Sequence, residues 1–223
     1  FSGGTAQSYE TETVIQGELG AKFSNNKLSG TAALFFNALS DRRNVDIVND
    51  GQGGITESIQ LQSTQTVGLE ASLNYNVSSG LNAYGNFTYQ SHEFTEVEGD
   101  PEQEGNSIAR IPNIMGMVGV NYDNGKLDAN LSSNFLGNKF ANNTNTVELD
   151  GFNIVRLDAG YTFSLGEGDE GDRLGLAVFN LLDADGVTEG SPRQGNSQVA
   201  GGNFFVGRPI LPRRVFLRVA FEF

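Results

Sequence analysis

Cysteine is absent from the 223 residues, which excludes a disulfide framework and any thiolate metal site. Tryptophan is absent too. A single histidine, His92, leaves histidine metal clusters and Ser-His-Asp arrangements without their parts. Proline is scarce at 5, and no apolar run reaches the roughly 18 residues that a helical membrane span needs. Positive charge is also short. Lys and Arg number 14 against 27 Asp and Glu, a formal net charge of −13. Phosphate binding requires a basic stripe, so nucleic acid is excluded as a partner. Neither an initiator methionine nor a signal-like segment opens the chain at Phe1-Ser2-Gly3-Gly4, and we expect further sequence upstream.

What the chain has is glycine, at 29, and phenylalanine, at 16, in segments that alternate apolar and polar residues. The end is the clearest case: Val215, Leu217, Val219, Phe221 and Phe223 share one parity, and Phe216, Arg218, Ala220 and Glu222 the other. Period two is the signature of a strand with one greasy and one wet face. About nine such strands are expected: Thr11–Phe23, Lys27–Leu39, Ser58–Val77, Leu81–Phe94, Ile111–Tyr122, Leu127–Phe135, Phe152–Leu165, Arg173–Leu182 and the terminal one. The polar segments Asp41–Glu57, Thr95–Asn106, Leu136–Asp150 and Asp183–Gly207 are expected to be long loops. Ser24-Asn25-Asn26, Ser78-Ser79-Gly80, Asp123-Asn124-Gly125-Lys126 and the acidic Gly166–Asp172 read as turns.

Long and short connections therefore alternate strictly. A soluble sandwich has no reason to sort its loops this way, whereas a membrane barrel has tight turns at one rim and longer loops at the other. Phe23, Tyr75, Tyr122, Phe163 and Phe223 lie on the apolar parity near short turns or the end. They predict one interfacial aromatic ring, with Phe36, Tyr89 and Phe135 supplying the opposite one. The expected fold is an all-β, antiparallel transmembrane β-barrel. Backbone groups unpaired in hydrocarbon cost several kcal/mol each, so such a sheet must close. We therefore expect upstream strands to complete it.

Candidate chemistry is sparse. His92 reads as a wet wall or loop residue beside Glu93. The acids Glu96, Glu98, Asp100, Glu102 and Glu104 lack calcium-loop spacing and read as a solvated loop. Glu70, Arg156, Asp158, Arg218 and Glu222 fall on the polar parity, as charged ladders of a barrel lumen would. Arg42, Arg43, Arg110, Phe204 and Phe205, assigned to loops, are the ligand-binding candidates, since loops carry specificity on a rigid scaffold. No catalytic or metal-binding residue and no cofactor is assigned.

Three segments resemble one family in order. Thr66-Val67-Gly68-Leu69-Glu70 is similar to the T-x-G-x-E strand of TonB-dependent outer-membrane receptors. Asn180-Leu181-Leu182-Asp183 is similar to that family's N-L-(L/F)-D. Gly207-Arg208-Pro209 with Pro212-Arg213, before a strand ending in Phe223, looks like its closing segment. Ala184-Asp185-Gly186 follows the second motif where the family often has a tyrosine. The resemblance implies that residues 1–223 are the C-terminal part of a 22-stranded barrel whose plug domain and energy-coupling TonB box lie outside the chain. It implies active import of a small nutrient of the siderophore, vitamin, saccharide or peptide class across a Gram-negative outer membrane, with no bond-making chemistry. A passive porin is the alternative. The implied partners are outer-membrane lipid, the TonB complex acting through the plug, and the barrel-assembly machinery reading Phe221 and Phe223; a surface lipoprotein is also admitted.

Overall fold

The computed structural model describes residues 11–49, 55–164, 171–194 and 203–221. Nine antiparallel strands form one sheet: β1 (Thr13–Ser24), β2 (Leu28–Asn49), β3 (Ile55–Ser78), β4 (Leu81–Val97), β5 (Ile114–Asp123), β6 (Leu127–Leu136), β9 (Phe152–Phe163), β10 (Asp172–Phe179) and β13 (Arg214–Ala220). The strands missing from that series form two separate hairpins inside the long connections. They are β7 (Lys139–Phe140) with β8 (Glu148–Leu149), and β11 (Val187–Gln194) with β12 (Asn203–Pro209).

The expected alternation sets the faces. On β3, Val67, Leu69, Leu73, Tyr75 and Val77 are exposed on one side, and their cross-strand neighbours Leu34, Phe36, Phe87 and Tyr89 are exposed beside them. A soluble sheet would cover so large an apolar surface. The opposite side carries hydroxyls, amides and charges that pair across strands: Thr31 with Ser72 at 2.7 Å, Asn82 with Asn74 at 2.6 Å, and Asn130 with the Tyr84 hydroxyl at 2.6 Å. Of the two expected aromatic rows, Phe163 and Phe135 are half-buried and the other described members are exposed. Phe23, Tyr75 and Tyr122 are exposed near the short turns, while Phe36 and Tyr89 are exposed toward the long connections. Phe223 lies outside the described residues.

The short turns follow their sequence. Asn124 Oδ1 accepts the backbone N–H groups of Lys126 and Leu127, and Gly125 adopts φ 84° between β5 and β6. Gly80, at φ 80°, accepts a 2.7 Å hydrogen bond from the Asp123 N–H, so adjacent turns are tied together.

Three expectations need correction. Asp41–Glu57 is not an open loop, because β2 and β3 stay paired as far as Asn49 opposite Ile55. Asp41 takes φ 59° at a bulge between Leu39 and Arg42, which breaks the parity. Leu136–Asp150 and Asp183–Gly207 hold β7–β8 and β11–β12. Finally, β10 ends at Phe179 rather than Leu182, since Asn180 and Asp183 adopt left-handed backbone angles of 52° and 56°.

Candidate functional site

The buried apolar side chains concentrate away from the exposed apolar face, among the long connections. Phe94, Val97, Ala141, Leu149 and Ile210 are all under a tenth exposed. The loop after β4 and the β7–β8 connection are interlocked by amides. Asn145 accepts the Ser107 N–H at 2.7 Å and donates to the Ser107 carbonyl at 2.8 Å, while Asn143 Oδ1 accepts the Ala109 N–H. Arg110, at φ 69°, donates its backbone N–H to the Phe140 carbonyl. Lys139 reaches from β7 to the Thr188 carbonyl on β11 at 2.7 Å. Burial lowers the Lys139 pKa, and Glu189 partly offsets that shift.

His92 is the hub of this packing and corrects the expectation of a wet residue, for only 2% of it is exposed. Its Nδ1 accepts the Ile108 N–H at 3.1 Å, and its Nε2 lies 3.1 Å from the Ile111 carbonyl. An N–H approaching Nδ1 requires a lone pair there, so the proton sits on Nε2 and donates to Ile111. Desolvation lowers its pKa, which favours this neutral form. Sequence alone hid this role because the ring's partners are backbone groups 16 and 19 residues away.

A second missed feature joins two of the short motifs. Asn180 Nδ2 donates to the carbonyls of Ala184 and Leu211, and its Oδ1 accepts the Ala184 N–H. Asp183 Oδ1 accepts the Arg213 N–H at 2.8 Å, and Arg213 Nη1 donates to the Leu181 carbonyl. The Asn180–Asp183 segment and the Leu211–Arg213 segment are therefore two halves of one clasp. It sits where β13 begins pairing with β10, at Phe179 opposite Arg214.

The candidate residues fall into separate groups. Arg42 and Arg43 are exposed at the base of the extended β2–β3 hairpin, opposite Gln62 and Leu61. Arg110 lines a cleft of about 500 Å³ with Glu189 and Arg208, which pair at 3.4 Å. Phe204 and Phe205 belong to β12, opposite Arg193 and Pro192, rather than to an open loop; their side chains lie outside the described residues. Glu70 lies on the polar face opposite Ala33 and Thr88. Arg156 and Asp158 pair at 2.6 Å, and Arg156 lies 4.1 Å from the Phe179 ring centroid. Arg218 is on the polar face opposite Gly175, while Glu222, its expected partner, lies outside the described residues. Phe221 is exposed on the apolar side. Among the described residues, no group of three or more His, Cys, Asp or Glu side chains could hold a metal ion.

A third group was not anticipated. Gln16, Glu18, Phe35, Asn37, Thr66 and Gln90 line a cleft of about 480 Å³ on the polar face of β1 to β4.

The model of the family described as "TonB dependent receptor-like, beta-barrel" matches residues 1–181. Among solved structures, the ferric citrate transporter FecA in its unliganded form aligns with TM-score 0.67 and 22% identity, covering 94% of this chain and 31% of that one. The ferric yersiniabactin uptake receptor FyuA from Yersinia pestis aligns with TM-score 0.70 and 18% identity, covering 95% and 30%. The copper transporter OprC aligns with TM-score 0.68 and 18% identity, covering 95% and 32%. The chain thus spans about three-tenths of the length of these structures.

Proposed function

Since the chain belongs to the TonB-dependent receptor-like β-barrel family, we propose that it forms part of the wall of an outer-membrane receptor that imports a scarce nutrient on TonB-supplied energy. The observation that carries this reading is the split between the two faces of one sheet. The apolar side meets acyl chains, and the polar side lines the lumen. The dimensions suit a bilayer. Val67 to Val77 on β3 rises about 33 Å at roughly 3.3 Å per residue, or about 25 Å along the membrane normal at a tilt near 40°. On β4 the apolar parity gives way to Ser91 and Glu93 after Tyr89, so His92 lies beyond the greasy band.

β1 and β13 each pair on one side only among the described residues. Exposed strand edges are not tolerated in hydrocarbon, so strands outside residues 1–223 complete the wall, and a plug fills the lumen. The TonB complex acts through that plug. The interlocked connections form the outer, ligand-facing rim, where Arg110 and Arg208 line an open cleft.

The test is fractionation of cells expressing the full-length protein, followed by uptake of ferric citrate and of neutral oligosaccharides with and without TonB. Recovery in the outer membrane with TonB-dependent uptake is the expected result. Uptake indifferent to TonB would replace this reading with passive diffusion.

A further inference from the structure

We infer that the clasp between Asn180–Asp183 and Leu211–Arg213 is the device that sets the register of β13 on β10. This goes beyond the receptor reading and does not depend on what the receptor carries. The alternation of β13 fixes which side faces out, but not where along β10 the strand settles. Leu174, Leu176 and Val178 share one parity of β10, opposite Val219, Leu217 and Val215 of β13. A slip of one residue would turn every apolar side chain to the wet side, whereas a slip of two keeps both faces intact.

Nothing within the two strands removes that freedom. A tight turn dictates the register of neighbours such as β5 and β6, but the whole β11–β12 excursion separates β10 from β13. Nor does a ring over a facing glycine hold the pair. The Phe135 ring comes within 2.6 Å of where a Cβ on Gly116 would stand, whereas at Gly175 on β10 the Arg218 side chain comes no nearer than 3.8 Å. Phe179 and Phe216 meet edge-on at 5.7 Å across a diagonal. A two-residue slip would set them directly opposite, so their contact does not select the native pairing.

The clasp supplies what the strands lack. Asn180 is buried, and its side chain holds the Ala184 N–H and the carbonyls of Ala184 and Leu211. Asp183 accepts the Arg213 N–H at 2.8 Å. The Arg213 guanidinium returns to the Leu181 carbonyl at 3.2 Å and to the Asp183 carboxylate at 3.5 Å. The Leu181 N–H donates to the Val155 carbonyl of β9 at 2.7 Å, which anchors the first half to the wall, and the Ile210 N–H donates to the Gly186 carbonyl just beyond. With Arg213 held there, Arg214 lands opposite Phe179 and the rest of β13 follows. These are directed bonds to single atoms. A slip of two residues, about 7 Å, would break them although it leaves both faces of the sheet intact.

The experiment exploits the absence of cysteine from residues 1–223 and uses the full-length protein in its membrane fraction, free of other cysteines. Leu176→Cys with Leu217→Cys reports the native register, and Leu176→Cys with Val215→Cys or Val219→Cys reports slips of two. A disulfide needs Cβ atoms about 4 Å apart, closer than diagonal neighbours stand. With the clasp intact, only the native pair should cross-link. Asn180→Gly with Asp183→Gly keeps both left-handed angles and should raise the slipped product about tenfold, as loss of one or two hydrogen bonds would. Insertion of Gly-Ser between Arg213 and Arg214 leaves the clasp whole and should carry the strand with it, so that Leu176→Cys now joins Val215→Cys. Persistence of the native cross-link in the insertion variant overturns the inference, and so does a folded glycine variant with no slipped product. If the glycine variant does not fold, the insertion variant decides alone. Its own failure to assemble would mean that the strands accept a single register without the clasp, and would overturn the inference too.

Discussion

The ring of Phe35 occupies the space that a Cβ on Gly68 would take, one strand away on the polar face. The same arrangement recurs with Phe23 across Gly30 and Phe135 across Gly116, each ring carbon 2.6 Å from where the Cβ would stand, and with Tyr84 across Gly119. An aromatic ring that covers a facing glycine restores the packing the glycine forfeits and pins the register of the strands. Gly68→Ala would push a methyl group into Phe35 and to 2.8 Å from the Tyr89 carbonyl, which is backbone and cannot swing away. We expect a loss of about 1–3 kcal/mol in urea unfolding of the full-length barrel in bilayers. The Phe35→Ala, Gly68→Ala double variant should recover only part of it.

The clasp gives a second expectation. Asn180→Ala would strip partners from the Ala184 N–H and from the Ala184 and Leu211 carbonyls, and would put alanine at φ 52°. The cost should be about 2–4 kcal/mol. Asn180→Gly relieves the backbone strain but not the lost bonds, so it should fall between wild type and alanine. A double-mutant cycle of Asp183→Ala with Arg213→Ala checks whether the two halves couple. Additivity would show that they do not.

His92 predicts a pH response. Its folded pKa lies below the ordinary value of 6.5. As pH falls below that value the unfolded chain takes up the proton first, so the folded state is penalised and stability drops. The contribution is present above pH 6.5 and is lost as the pH falls through and below it. The protonated ring can no longer accept the Ile108 N–H. Protection factors of the amides in residues 98–113, corrected for the intrinsic pH dependence of exchange, should therefore fall between about pH 7 and pH 5. In His92→Gln that dependence should vanish.

A small effect is expected from the most conspicuous ion pair. Arg156 and Asp158 are both partly exposed, with side chains 44% and 36% accessible. Asp158→Asn should change stability by no more than about 1 kcal/mol. Phe179 packs edge-on against Phe216 at 5.7 Å and lies beneath Arg156, so Phe179→Ala should cost about 2–4 kcal/mol. Equal losses in the two variants would contradict this ranking.

The nine-strand sheet was legible because its strands have one apolar and one polar face; Val67 to Val77 writes that difference as strict alternation. Legibility ended where that alternation breaks. The bulge at Asp41 shifts the parity, and the polar run Asp41-Arg42-Arg43-Asn44 reads as loop, although every residue from Arg42 to Asn49 is paired. In β11, Gly190 and Pro192 read as loop residues and hid a real ladder. The clasp and the His92 hub were hidden for a different reason, since their partners are main-chain groups that leave no side-chain signature at the far end. The three family-like motifs were visible as strings, but nothing in them said that Asp183 would meet Arg213.

Above Gln62 the β2–β3 hairpin leaves its neighbour β4 and continues as a two-stranded ribbon, held at its root by the Asp41 N–H on Ser63 Oγ and by the Glu98 N–H on the Leu61 carbonyl. Its inner ladder is already satisfied, so bending it would break several bonds, whereas tilting it as one piece loads only its root: the two adjacent bulges, the Glu98 N–H on Leu61 and the Gln60 amide on the Glu98 carbonyl. A touch far out along such a lever is felt at its fulcrum, beside Thr66 and the top of the wall.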